Sequence, residues 1–420
     1  DNPSVMLRMP APFAQGSQIM AAPSCSPYGK RVNNLAFHYG KERDGYKTGR
    51  KNNQRRDKKM DGIGSYFQNY VSNTLAGTGC QLLTNSGGVQ TGIAFYRVFA
   101  GGKYGYSCLF SNTADSTFSD GSLSRAGETG KPWKIYGMQA YVTGAPVPDR
   151  DVRQARALTF GGAAQKTVRS GEWFATDEAV FDVKETEYLA VKITYEGERL
   201  PVHPENLLPC YRQEGGAFVA DTMIPVPSMV GCGRRAKKRI AFWGDSITQG
   251  IGTERDSYAH YAAVAAKKLG TEYAFWDIGI GYGRAQDAAG GSTWMKKALQ
   301  SDLLFVCFGV NDILFGRSAE EVKRDLLTVT GTLRAAGKEV VLQTVPPFDW
   351  ADEKREIWKA VNGDILENPR KYADHVFDNR PFIGAGEDFS RSPYGAHPNG
   401  EGCARWGNAL CDFIAREKIL

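Results

Sequence analysis

The hydrophobic period of this chain changes once, near residue 237, and that change constrains the fold more than any other feature. After it, short apolar runs at 238–243, 273–278, 303–308, 339–345 and 375–378 alternate with amphipathic stretches. The latter fall at 257–269, 287–299, 319–336 and 352–366, with 401–418 closing the chain. Five strands alternating with helices predict a parallel sheet covered on both faces. Ligands of such sheets bind beyond the carboxyl ends of the strands.

Before the change the pattern is all β. Runs at 92–99, 104–110, 133–142, 156–160 and 188–195 are rich in aromatic and β-branched residues, and Gly, Ser, Asn and Asp clusters separate them. Such spacing over 61–233 predicts an all-β sandwich, jelly-roll-like, ahead of an α/β domain at 234–420. For the aromatic residues of this region (Tyr104, Tyr106, Phe110, Trp133, Tyr136, Trp173) core packing is the commoner fate.

The first 60 residues are polar and aperiodic. Residues 1–59 hold twelve Lys or Arg against four acids, so they exceed the whole chain's +6 and leave a nearly neutral body. A basic arm of this kind can touch anionic surfaces. No aromatic interleaving or binding motif accompanies the charge, so nucleic acid is not an expected partner. No apolar run reaches the length of a bilayer span, which argues against an integral membrane protein. The eight cysteines are scattered without Cys-x-x-Cys or Cys/His metal spacing. Free thiols in a reducing compartment are the expectation, and with no signal peptide in view a cytoplasmic location is favoured. No metal or cofactor is called for, and oligomeric state is left open.

The reactive residue types fall at one edge of the expected sheet. Ser246 lies two or three residues past the first strand in Gly244-Asp245-Ser246-Ile247-Thr248. Asn311 follows the third strand in Gly309-Val310-Asn311-Asp312, and His397 precedes the last helix in Tyr394-Gly395-Ala396-His397-Pro398. A hydroxyl, an imidazole and a side-chain amide converging there form a nucleophile, a base and an oxyanion donor. A lone Ser after a strand is usually a turn former, and it is the ordered combination that carries weight. His203, His260 and His375 belong to no motif and read as structural. Gly279, Gly281 and Gly283 lack the spacing of a dinucleotide loop, no Gly-x-Ser-x-Gly elbow occurs, and no zinc-binding helix motif occurs.

These blocks resemble the SGNH hydrolases, or GDSL-type esterases and lipases, over roughly 237–420. The resemblance implies a flavodoxin-like three-layer α/β/α domain and hydrolysis of carbohydrate, lipid or small aryl esters. Carried over by motif, Ser246 would attack the carbonyl, His397 would take its proton, and Asn311 with the Ser246 amide would bind the oxyanion. The family's Asn-x-Gly-x-x-Gly block reads Asp277-Ile278-Gly279-Ile280-Gly281-Tyr282-Gly283 here. An ungapped register puts Tyr282 at the donor position, and Gly281 is the expected third donor. The family's Asp-x-x-His becomes Tyr394-x-x-His397. Either a main-chain carbonyl holds the imidazole, or Glu387 or Asp388 folds back to it.

The expected activity is removal of short acyl groups from a small-molecule or carbohydrate ester, most of all acetyl from carbohydrate. That choice follows carbohydrate acetylesterases of this class in which a β domain precedes the hydrolase domain, and the same analogy offers the six aromatic residues named above for sugar stacking. A broad short-chain aryl esterase or lipase is the alternative enzyme. A glycan-binding protein with weak catalysis is the alternative from another class.

Overall fold

Strands buried on both faces need apolar residues at every position, and those of the C-terminal region have them. Ile240, Ala241, Phe242 and Trp243 are each at most 1% exposed, as are Leu303, Leu304, Phe305, Val306 and Cys307. The computed structural model describes residues 61–118 and 125–420. The expected basic arm at 1–60 lies outside the described residues.

Strands Arg239–Gly244, Ala274–Asp277, Leu303–Cys307, Glu339–Gln343 and His375–Phe377 pair in parallel. Their spatial order is second, first, third, fourth, fifth, the flavodoxin-like arrangement. The order reverses between the first and third strands, where Gly244 is in register with Cys307. The chain leaves both strands at the same level there, and the crevice at such a switch point is where ligands bind.

The covering helices end where capping chemistry ends them. Ser318 and Glu321 form a reciprocal capping box at the start of Ala319–Ala335. Asn399 caps Gly400–Glu417 through the Glu401 and Gly402 amides. The single helix expected over 287–299 is two short ones, Ala285–Ala289 and Thr293–Ala298. Gly290 and Gly291 interrupt it, Gly291 taking a φ of 68°, and Ser292 caps the second piece.

Residues 71–232 build two large antiparallel sheets and a two-stranded one, Leu82–Thr84 with Leu200–Val202. Gln90–Arg97, Trp133–Thr143 and Tyr188–Gly197 lie at the centre of one sheet, and Gly102–Ser111 at the centre of the other. Their inward side chains, among them Tyr96, Phe110, Trp133, Ile193 and Tyr195, share one core. This is the expected all-β sandwich. It is packed tightly onto the α/β region: Tyr66, Phe67, Leu75, Leu109 and Met229 belong to the α/β core. A fully buried ion pair, Lys297 Nζ to Asp115 Oδ2 at 2.5 Å, joins the two regions.

Candidate active site

The turn after the first parallel strand is shaped by close contacts. A side chain on Gly244 would collide with Thr248 and the Cys307 carbonyl, so the chain can turn there only with glycine. Asp245 caps the short helix Ser246–Gln249, its carboxylate accepting from the Ile247 amide at 2.9 Å. Ser246 is thus the first residue of a helix, where a backbone N–H has no partner within the helix. Its Oγ lies 2.8 Å from His397 Nε2. Residues 151 positions apart meet because the closing loop runs over the turn that carries Ser246: a Cβ on Gly252 would come within 2.5 Å of the His397 carbonyl.

After the third strand, Gly309 takes a φ of 119° to start the helix Val310–Leu314. Asn311 Nδ2 donates to the Gly283 carbonyl at 3.1 Å. A primary amide has two N–H groups, so one stays available to a ligand. Asp312 is structural: its carboxylate accepts from the Ala285 and Gln286 amides at 2.8 and 3.2 Å. Burial pushes its carboxyl up to about 6. Burial, with the Asp312 charge adding to it, pushes Asp245 up to about 7.

The loop after the second strand revises one expectation. The Gly281 amide is spent on Gln249 Oε1 at 2.6 Å, and the Gly283 amide on the Ile280 carbonyl at 3.1 Å. Between them, the Tyr282 amide has no hydrogen-bond partner among the described residues. Tyr282 also takes a φ of 61°, a conformation that disfavours every side chain. Gly281 is required for a different reason: a Cβ there would collide with the Glu205 carboxylate and the Gln81 amide.

A serine and histidine in contact at the switch point, with an amide side chain after the next strand over, make a specific ordered set, and residues 242–405 match the profile of the GDSL-like lipase/acylhydrolase family. That match spans less than half of the chain, and over it the chain is similar to a GDSL-like lipase/acylhydrolase domain. No curated protein matches the chain. Among solved structures, it is similar to Est24, a carbohydrate acetylesterase from Sinorhizobium meliloti. That match has 21% identity, covers 43% of this chain and 100% of that one, and has a TM-score of 0.35. It is also similar to the psychrotrophic esterase EstA from Pseudoalteromonas sp., in a structure inhibited by monoethylphosphonate. There the identity is 14%, the coverage 43% and 99%, and the TM-score 0.36.

Within the matched region His397 has no carboxylate partner. No acid among the described residues pairs with its ring, and burial alone moves its pKa below the ordinary 6.5. Asp388 is engaged elsewhere, with Lys359 Nζ at 3.0 Å and the Ser390 amide at 3.0 Å. Glu387 is exposed. Tyr394 packs on Gly402 and lies under the Arg405 guanidinium. No main-chain carbonyl bonds the ring either; the Phe348 ring stands edge-on to it, centroids 5.7 Å apart.

The other described histidines lie outside this set. His260 faces Asp277 at 3.2 Å, His375 faces Glu339 at 3.6 Å, and His203 is fully buried. The seven described cysteines are unpaired and buried. Among the described residues no group of three or more His, Cys, Asp or Glu is placed to hold a metal, and no helix is long and apolar enough to cross a membrane. Of the candidate sugar-stacking aromatics, Tyr106, Phe110 and Trp133 are core residues at most 2% exposed. Tyr136 is half-buried and bonded to Glu196.

Sequence reasoning missed Ser116, Gln249, Glu205, Gln81 and Phe348. All but Gln249 and Phe348 come from the β region. No motif marks any of them, because their roles arise from contacts across long stretches of chain.

Proposed function

We propose that this chain is a serine carboxylic ester hydrolase that removes short acyl groups, with acetyl on carbohydrate as its substrate class. The observation that carries this reading is the 2.8 Å contact between Ser246 Oγ and His397 Nε2 at the switch point. In the reaction, His397 Nε2 takes the Ser246 proton as Oγ bonds to the ester carbonyl carbon. The negative oxygen of the tetrahedral intermediate is met by the Ser246 amide, the Tyr282 amide and the free N–H of Asn311. Collapse breaks the bond to the alcohol oxygen, which receives the proton from His397. Water, deprotonated by the same nitrogen, then attacks the acyl-serine and releases the acid. A half-buried imidazole whose pKa burial lowers below 6.5 suits the role of base in both proton transfers.

Two features support a small acyl group on a hydroxyl-rich alcohol. The Phe348 ring stands edge-on to His397, centroids 5.7 Å apart, and so occupies one side of the base. The β region meets the oxyanion loop with the polar residues Gln81, Ser116 and Glu205, beside the Phe118 ring that stands edge-on to Tyr282.

The test is acetate release from acetylated xylan and acetylated mannan, set against tributyrin and p-nitrophenyl acetate, with Ser246→Ala as control. The reading expects polysaccharide acetate release that Ser246→Ala abolishes. Turnover of tributyrin or aryl acetate alone would replace carbohydrate with a broad short-chain ester as substrate.

A further inference from the structure

The peptide between Gly281 and Tyr282 carries both the Gly281 carbonyl and the Tyr282 N–H. In a trans peptide these two groups point in opposite directions, so anything that holds the carbonyl also aims the N–H. The Gly281 carbonyl accepts a hydrogen bond from Ser116 Oγ at 3.0 Å, across 165 positions of sequence. Ser116 belongs to the β region and is completely buried.

Left to itself, this peptide would turn over. Rotating it by half a turn would take Tyr282 from its φ of 61° to about −120°, the region its side chain prefers. Gly281, with no Cβ, would accept the matching change at no cost. The turned-over peptide would aim a carbonyl, not an N–H, at the position of the oxyanion. The observed orientation is therefore a strained one that something must hold.

Ser116 is itself placed by anchors on both sides. Before it, Asp115 binds Lys297 Nζ at 2.5 Å and the Cys80 amide at 2.9 Å. After it, Thr117 Oγ1 donates to Asp287 Oδ1 at 3.0 Å and accepts from Arg284 Nη2 at 2.9 Å. Lys297, Asp287 and Arg284 all belong to the α/β region, so the Asp115–Thr117 segment is fastened to the domain it serves. The neighbouring Gly281 amide is held by Gln249, whose Nε2 donates to the Glu205 carbonyl at 2.7 Å.

We infer that Ser116 is a positioning residue for catalysis: its hydroxyl holds the Gly281–Tyr282 peptide so that the Tyr282 amide faces the oxyanion, which makes the β region part of the catalytic apparatus. This rests on the reading of Tyr282 as an oxyanion donor in an esterase.

The experiment measures kcat, KM and melting temperature of the full chain on p-nitrophenyl acetate for Ser246→Ala, Ser116→Ala, and Ser116→Ala combined with Tyr282→Gly. Ser116→Ala should lower kcat about ten-fold or more while KM stays within about two-fold, since a misaimed donor weakens transition-state binding alone. Glycine at 282 has no preference between the two peptide orientations. The double variant should therefore regain several-fold of the lost kcat, which a merely structural role for Ser116 would not produce. An unchanged kcat in Ser116→Ala beside an inactive Ser246→Ala overturns this inference alone. So does a kcat loss that follows the melting temperature and is not relieved by Tyr282→Gly. Turnover surviving in Ser246→Ala overturns the esterase reading, and this inference falls with it.

Discussion

The turns after the first and third parallel strands and the loop after the second meet at one crevice but are built on different terms. The first two are held largely from within the α/β region. Asp245 caps its own helix, and Gly244 and Gly309 allow the turns that close packing demands. The loop around Gly281 is held in large part from outside. Ser116 binds its carbonyl, and the Gln81–Glu205 pair, 2.5 Å apart, fills the space a side chain at 281 would need. Self-contained turns keep their chemistry in short motifs, whereas a loop braced by another region disperses it over the chain.

That contrast can be broken at either end, and the largest effect should come from the self-contained side. Ser246→Ala and His397→Ala should each lower ester turnover by at least about 10⁴-fold with the fold retained. Labelling by a fluorophosphonate at a serine other than Ser246 would sink the assignment. Asn311→Ala should lower kcat about a hundred- to a thousand-fold, the usual worth of one preorganised donor. Steady-state kinetics decide it, because a loss confined to KM would mean that Asn311 binds only ground-state substrate.

On the braced side, Gly281→Ala should destabilise the chain by about 1–3 kcal/mol through overpacking against Glu205. It should also lower kcat about ten-fold by displacing the loop. Denaturant melts and kinetics read both, and full activity in this variant would show that the brace has slack.

The pH profile sharpens the comparison further. His397 acts as a base only when neutral, and burial without a carboxylate lowers its pKa from 6.5. The neutral form therefore persists to lower pH, and the acid limb of kcat/KM should lie below pH 6.5. A limb at or above about pH 7 would mean that a carboxylate joins the imidazole in solution. The smallest effects belong to Glu387→Gln and Asp388→Asn, each expected within about two-fold of wild-type kcat, since neither acid touches the base. A thousand-fold loss in either would restore a triad.

Much of the fold and of the site is legible in the amino-acid sequence. Ser246 and Asn311 can be placed because a parallel sheet delivers the ends of its first and third strands to one crevice. Nothing in the alternation of strand and helix foretells that the expected helix 287–299 breaks, although Gly290 and Gly291 stand in plain view. A glycine pair weakens a helix without dictating where packing will divide it. Tyr282 stands at the donor position in an ungapped register, yet glycine is the residue that most readily exposes its amide in a tight turn. Only the hydrogen bond that its amide donates to Gln249 Oε1 removes Gly281 from that role.

What the sequence by itself determined is local: the residue types at the strand ends, the turns that present them and the period that orders the sheet. Each depends on neighbours a few positions away, and such dependence leaves a pattern in the chain. The tertiary structure alone decided which amide of the 281–283 loop is left without a partner and that no carboxylate reaches the imidazole. It also decided that the β region is fastened against that loop. Those outcomes depend on hydrogen bonds between groups as much as 165 residues apart, and such contacts leave no spacing that a single sequence can reveal.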